Sequence, residues 1–216
     1  MRYQAIITAG GNSTRFGKKN KLLEKINGKE VIRYSIDTFL NTSEIEKITI
    51  CANPSIIDLL KKYYCNENRV IIIEGGKTRQ ESVYKGLESI KNCDYVLIHD
   101  GARPVISTEL IKNILKENRK ALTVATKTTD TIKVVNDNKK IIKTLDRNLL
   151  YNTQTPQAFD FELIKKVHEK YKGKNFSDDA GMVEAYGEDV FVFENDYKNI
   201  KITTSNDIDI AKIYLS

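Results

Sequence analysis

Residues 6–21 read IITAGGNSTRFGKKNK, and the fold is decided there. An apolar run, Ala5, Ile6 and Ile7, stops at Ala9-Gly10-Gly11. A loop of small and polar residues follows, with Arg15 on its far side and Lys18, Lys19 and Lys21 beyond. A strand opening into a glycine-rich, basic loop is how α/β proteins grip phosphates. Glycine lets the backbone approach, free N–H groups point at the anion, and cations neutralise it. The loop lacks the third glycine of a dinucleotide fingerprint and the Gly-Lys-Ser/Thr of a P-loop. A Gly-Gly pair after a strand can equally be a tight turn; the local concentration of Arg and Lys favours an anion.

Outward from that loop, apolar runs alternate with helical patterns. Strands are expected at Tyr3–Ala9, Lys47–Ala52, Val70–Ile73, Tyr95–His99 and Ala121–Thr126. Helices are expected at Val31–Leu40, from Pro54 (capped by Asn53) to Tyr64, at Thr78–Ile90, and after the cap Ser107. The continuous β-branched run at 70–73 suits a strand covered on both faces. This order predicts an α/β, Rossmann-like, three-layer fold: a mostly parallel twisted sheet with helices on both faces. The rhythm breaks at Thr126. Thr131–Val135 and Ile141–Leu145 flank the turn signal Asn136-Asp137-Asn138 and read as an inserted β-arm, about residues 127–152. Such an arm cannot bury both faces alone, so it packs on a partner subunit or folds over its own domain, the first being favoured. Helices Phe161–Lys172 and Asp179–Tyr186, a strand Val190–Phe193, an extended Ile200–Thr203 and a last helix from Asp207 to Tyr214 complete one domain, 1–216, that carries the arm.

The bulk numbers bound the function. A chain of 216 residues supports one domain with a real core. The net charge of +6 is spread along the chain, which suits anionic small molecules better than a nucleic-acid arm. No apolar stretch has the length of a membrane span, and the N-terminus enters a strand at once, without a signal peptide. Cys51, Cys65 and Cys93 are odd in number and lack metal spacing, so they read as free thiols of a reducing cytoplasm. The two histidines, His99 and His168, exclude a histidine-rich metal site.

In open α/β sheets ligands bind beyond the carboxyl ends of the strands. Three turns meet that description: the first loop, Gly75-Gly76-Lys77-Thr78-Arg79, and His99-Asp100-Gly101-Ala102-Arg103-Pro104. Asp100 is their acid. Beside phosphate loops, a lone carboxylate can hold Mg²⁺ together with substrate phosphate oxygens. It can also be a cap or turn residue; the flanking Gly-Ala-Arg-Pro and the two other loops favour the metal. His99, ending an apolar strand, is expected to be packed and hydrogen-bonded rather than a general base. His168, on the flank of a helix, is expected to face solvent.

AGGNSTRF, GGKTRQESV, HDGARP, DTIK, DRNLLYNTQTPQAF, SDDAGMVEAYG and NIKITT, in that order across nearly the whole chain, resemble the cytidylyltransferases that make nucleotide-activated polyols. The methylerythritol phosphate branch, of non-mevalonate isoprenoid synthesis, is nearer than the ribitol-5-phosphate branch. The resemblance implies that CTP and 2-C-methyl-D-erythritol 4-phosphate are joined with loss of pyrophosphate, in a cytoplasmic homodimer. It implies CTP contacts from Thr8, Ala9, Gly10, Gly11 and Gly101, with Gly76, Arg79 and Ser82 on the cytosine side. Mg²⁺ is implied on Asp100. Arg15, Lys21 and Lys201 are implied as catalytic. Arg103, Thr155 and Ser177 are implied at the polyol phosphate, with Thr131 and Arg147 reaching from the arm into the neighbouring subunit's site. Asn20 stands where the family pattern has proline, so the catalytic lysine of that pattern is Lys21 or Lys19. No membrane or nucleic-acid partner is implied.

Two other classes fit less well. A dinucleotide-dependent oxidoreductase needs a third loop glycine and an acid about 20 residues on; Glu30 is near that distance, but no strand leads into it. A nucleic-acid binder would carry aromatic stacking clusters or a basic arm, and neither is present.

Overall fold

The computed structural model describes residues 1–11, 16 and 20–216. In chain order the elements are β1 (Tyr3–Ala9), β2 (Lys25–Ile26), β3 (Lys29–Glu30), α1 (Val31–Leu40), β4 (Ile45–Ala52), α2 (Pro54–Tyr63), β5 (Val70–Glu74), α3 (Arg79–Ser89) and β6 (Tyr95–Asp100). They continue with α4 (Thr108–Lys116), β7 (Ala121–Lys127), β8 (Lys133–Val135), β9 (Ile141–Thr144), β10 (Tyr151–Asp160), α5 (Phe161–Lys170), α6 (Asp179–Tyr186), β11 (Phe191–Glu194) and α7 (Asn206–Tyr214).

Seven strands form one sheet in the order β11-β7-β10-β6-β1-β4-β5. β1 runs parallel to both β4 and β6, β4 is parallel to β5, and β11 is parallel to β7. β10 is antiparallel to β6 and β7. The chain builds outward from β1 through β4 to β5, then returns to place β6 on the other side of β1. That reversal opens a crevice at the carboxyl ends of β1 and β6, where Thr8 pairs in register with Asp100.

Strand side chains alternate between two apolar cores. Ala5, Ile7 and Leu97 join α1, α2, α4 and α7 on one face; Ile6, Val96 and Ile98 join α3, α5 and α6 on the other. Caps set the helix starts. Asn53, Thr78, Ser107, Asp160 and Asp178 each accept a backbone N–H in the first turn of the following helix. α3 lies close to the sheet because Gly86 faces it: an added Cβ would be 3.0 Å from both Cys51 Sγ and the Ile6 side chain.

The layered fold agrees with the expectation, and most element bounds agree within two residues. Two differences have physical causes. β10 was not anticipated, because YNTQTPQAFD carries a central proline and polar residues where a strand pattern needs alternating apolar ones. Its Gln154, Thr155 and Gln157 are buried all the same, held by hydrogen bonds instead of apolar contact. The β2–β3 hairpin was also unread; it turns at Asn27-Gly28, both with positive φ (49° and 81°). Residues 200–203, expected as an extended stretch, join no strand of the sheet and are tied to the 100–103 turn by Ile202 N–H to Ala102 O, 2.8 Å.

The arm is a separate two-stranded sheet of β8 and β9, closed at its base by Thr128 N–H to Leu150 O at 2.9 Å. Its tip turns at Asn136, whose carbonyl and side-chain oxygens accept from Lys139 and Lys140. Ile132, Val134, Val135, Ile141, Ile142 and Leu149 on or beside it are exposed.

Candidate active site

Two cavities meet at the carboxyl end of β6. The end of β1 supplies Thr8, Ala9, Gly10 and Gly11 to the first; Lys21 and Leu22 close one side, and Lys77, Thr78, Arg79 and Ser82 the other. The second is bounded by Arg103, by Thr153 to Thr155 and Gln157 of β10, and by Ser177, Asp178, Gly181 and Glu184 around the start of α6. Arg79, Asp100 and Lys201 line both.

Asp100 is the hinge of the electrostatics. Its Oδ1 accepts from Arg79 Nε at 3.0 Å and Thr8 Oγ1 at 3.3 Å, and its Oδ2 from Lys201 Nζ at 2.6 Å. Burial alone would push this carboxyl up. Arg79 and Lys201, with Arg103 farther out, outweigh that and hold it well below the usual carboxylate range. Arg79 in turn has Nη1 2.8 Å from Asp179 Oδ2. Burial disfavours the Arg79 cation, but Asp179 and Asp100 more than offset this and raise its pKa. Its Nη2 is buried with no hydrogen-bond partner among the described residues. A buried donor without a partner costs about 1–3 kcal/mol, which an anion reaching it would relieve.

Glycines bring the loops together. Gly76 N–H donates to Ser82 Oγ at 2.9 Å, and a Cβ on Gly76 would fall 2.2 Å from Glu81 Cβ. A Cβ on Gly10 would fall 2.9 Å from the same Ser82 Oγ. The β1 loop and the 75–79 turn therefore close on one hydroxyl, at a spacing that only small residues allow. Lys21 Nζ donates to Ile202 O at 2.6 Å, bringing the first loop against the segment that carries Lys201.

His99 is buried and packed, as expected. Thr155 Oγ1 accepts from Asp100 N–H at 3.0 Å and lies 3.1 Å from His99 Nδ1, while His99 Nε2 is 3.3 Å from Arg103 O. Nδ1 as acceptor and Nε2 as donor satisfies every partner, an assignment made from the network. Burial pulls its pKa down to about 4, so it is neutral at pH 7 and serves as a strut beneath Asp100. His168 corrects the expectation: it is buried, not solvent-facing, with Nε2 3.0 Å from Asp179 Oδ1.

Of the residues singled out in the sequence, Thr8, Ala9, Gly10, Gly11, Lys21, Arg79, Ser82, Asp100 and Lys201 meet at the first cavity. Arg103, Thr155 and Ser177 lie at the second. Arg103 spends Nη1 and Nη2 on the carbonyls of Asn199 (2.7 Å) and Thr153 (3.5 Å), and Nε has no partner among the described residues. Gly76 lines an adjoining groove instead, and Ala102 rather than Gly101 faces the first cavity. Thr131 and Arg147 lie on the arm outside both cavities; Arg147 Nη1 donates to Thr129 O at 3.0 Å. Arg15 and Lys19 lie outside the described residues. The sequence reading missed Asp179, although the acidic pair of SDDAGMVEAYG was its signal.

The model of the family "IspD: 2-C-methyl-D-erythritol 4-phosphate cytidylyltransferase" matches residues 3–216. The chain belongs to this family. Of the relatives of that name, the protein of Dictyoglomus thermophilum is 42% identical over 213 residues, covering 94% of this chain and 92% of its own. That of Caldanaerobacter subterraneus subsp. tengcongensis is 41% identical over 226 residues, covering 100% and 99%. Among solved structures, the 4-diphosphocytidyl-2C-methyl-D-erythritol synthase of Anaerococcus prevotii superposes with a TM-score of 0.88 at 34% identity, covering 99% of this chain and 96% of that one. Membership makes the protein a nucleotidyltransferase of the cytidylyltransferase class. No helix among the described residues is long and apolar enough to cross a membrane.

Proposed function

We propose that this protein transfers the cytidylyl group of CTP to the phosphate of 2-C-methyl-D-erythritol 4-phosphate, with CTP in the first cavity and the polyol phosphate in the second. The observation that carries the assignment is the shared wall: Arg79, Asp100 and Lys201 border both cavities, where an acceptor phosphate and an α-phosphate must meet. The family model and the named relatives all carry the methylerythritol name, which leaves ribitol 5-phosphate unsupported as acceptor.

A phosphate monoester has its second pKa near ~6, so the acceptor is largely dianionic at pH 7 and needs no strong base. This agrees with a neutral, buried His99. One acceptor oxygen forms a bond to the α-phosphorus, and the bond from that phosphorus to the bridging oxygen breaks. The electron pair leaves with pyrophosphate. The work left to the protein is positioning and charge neutralisation. Lys201 steadies the incoming phosphate, Arg15 and Lys21 stabilise charge on the α-phosphate, and Arg79 offers its unpartnered Nη2. Backbone at Gly10 and Gly11 cradles the triphosphate; Arg103, Thr155 and Ser177 border the acceptor.

The described residues include no group of three His, Cys, Asp or Glu side chains able to hold a metal. Mg²⁺ sites combine one or two carboxylates with substrate phosphates and water; Asp100, on the wall shared by the two cavities, would be that carboxylate, with Oδ2 opened when the part-exposed Lys201 turns to a phosphate. Mg²⁺ held by Asp100 and the nucleotide would supply charge neutralisation to the triphosphate.

The exposed apolar side chains of the arm support a homodimer in which Thr131 and Arg147 approach the second subunit's acceptor cavity. The test of the reaction is pyrophosphate release from CTP and Mg²⁺ with each polyol phosphate: fast release with methylerythritol phosphate and little with ribitol phosphate is expected. Equal rates would remove the acceptor assignment. Lys21→Ala should lose about 10²–10³-fold in kcat; if Lys19→Ala shows that loss instead, the catalytic lysine is Lys19.

A further inference from the structure

We propose that His168 is a positioning residue for the transfer reaction, acting through Asp179 to set the orientation of Arg79 at the wall between the two cavities. The inference rests on the functional reading above. A file of polar contacts runs from α5 to β6. His168 Nε2 meets Asp179 Oδ1 at 3.0 Å, Asp179 Oδ2 meets Arg79 Nη1 at 2.8 Å, and Arg79 Nε meets Asp100 Oδ1 at 3.0 Å. His168 and Asp179 are both buried. Asp179 is also pinned by its backbone: its N–H and that of Ala180 donate to Gln157 Oε1 at 3.1 and 3.2 Å.

The role follows from counting oxygens. A carboxylate and a guanidinium pair most strongly as a fork, with two parallel N–H···O bonds. Asp179 with both oxygens open would take Arg79 in that manner and turn the guanidinium away from Asp100. His168 occupies Oδ1. That bond sets the plane of the carboxylate with Oδ2 towards Arg79, so Nη1 is held in an ion pair with Oδ2, Nε reaches Asp100, and Nη2 has no hydrogen-bond partner among the described residues. Neutralising Asp179 requires only Arg79; fixing which nitrogen faces which oxygen requires the histidine as well.

Steady-state kinetics of the full chain with CTP, Mg²⁺ and methylerythritol phosphate test this. His168→Gln keeps an N–H donor near the position of Nε2, and kcat should stay within about twofold of wild type. His168→Leu frees Oδ1 and should lower kcat about tenfold or more, the scale on which partners behind a functional group act, with both KM values changed less than kcat. The decisive comparison is the Arg79→Lys background. Lysine has no fork to misdirect, so His168→Leu should then change kcat by no more than about twofold. Equal losses in the Gln and Leu variants, or the same loss in both backgrounds, would mean that His168 only fills space. If His168→Leu does not fold, His168→Asn, too short to reach Asp179, replaces it with the same expected loss. Full kcat in Arg79→Lys would overturn the place given to Arg79 in the functional reading. An impaired Arg79→Lys with an unimpaired His168→Leu would overturn the positioning role alone.

Discussion

Lys201 Nζ donates to Asp100 Oδ2 at 2.6 Å, although the two residues are 101 apart in sequence. Lys201 is about a third exposed (36% for its side chain) while the Asp100 side chain is 9% exposed. The pair is therefore asymmetric. Lysine can leave to meet a phosphate; the aspartate cannot leave. Lys201→Met leaves the buried Asp100 carboxylate one cation short and should cost about 1–3 kcal/mol in urea denaturation, and should lower kcat by about 10²–10³-fold. Asp100→Asn removes the charge shared by Arg79 and Lys201 and should cost about 2 kcal/mol as well as activity. A Lys201→Met variant with near-normal turnover would remove Lys201 from the reaction.

Gly76→Ala places a Cβ 2.2 Å from Glu81 Cβ and 2.9 Å from Ser82 N, both on the first turn of α3. The turn must shift, and overpacking of this kind costs about 1–3 kcal/mol. CTP affinity should fall with stability, measured by calorimetry and thermal melting. Gly11→Ala is the control, because none of the described residues lies within 4 Å of its added Cβ; its melting should be unchanged.

If the arm completes the second subunit's site, defects on arm and body complement one another. Arg147→Ala and Lys201→Met homodimers should each be slow. Mixed by co-expression, half of the dimers carry one site free of both defects, and activity should return to about a quarter of wild type. Failure of the mixture to exceed its components, with heterodimers demonstrated, would place Arg147 outside the site.

The buried cysteines predict a loss of stability in alkali. Burial pushes the Cys51 thiol up from 9.0 to about 12 and the Cys93 thiol to about 11. Below pH 9 both thiols are protonated in folded and unfolded chains, and their contribution is fully present. As pH rises from 9 towards the folded values, the unfolded chain ionises first, so stability falls. Cys51→Ala should flatten that slope between pH 9 and 11 in denaturant titrations. In the native state at pH 8, a thiol reagent should modify the exposed Cys65 quickly and the two buried thiols slowly.

Much of the candidate site was legible because it sits on sheet-edge turns. Gly10, Gly11, Gly76 and Asp100 all follow apolar runs, and a run that ends in glycine or a charge marks where a strand stops. His168 was not legible. A lone histidine on a helix carries no mark of the carboxylate it meets, and here Asp179 comes from another helix 11 residues on. β10 was hidden for a related reason. Beside Ala158 and Phe159 it buries the amides of Gln154 and Gln157 and the hydroxyl of Thr155, and periodicity searches see burial only when it is apolar.

The order of strands and helices, their caps, the basic glycine loops and the family likeness are written in local stretches of sequence, because backbone sterics, capping and side-chain alternation act over a few residues. Only the tertiary structure decided that β10 slots in antiparallel between β6 and β7, that residues 200–203 bring Lys201 to Asp100, and that one arginine stands between two buried aspartates. Those outcomes depend on which polar groups lose water together, and that is settled by packing between distant segments.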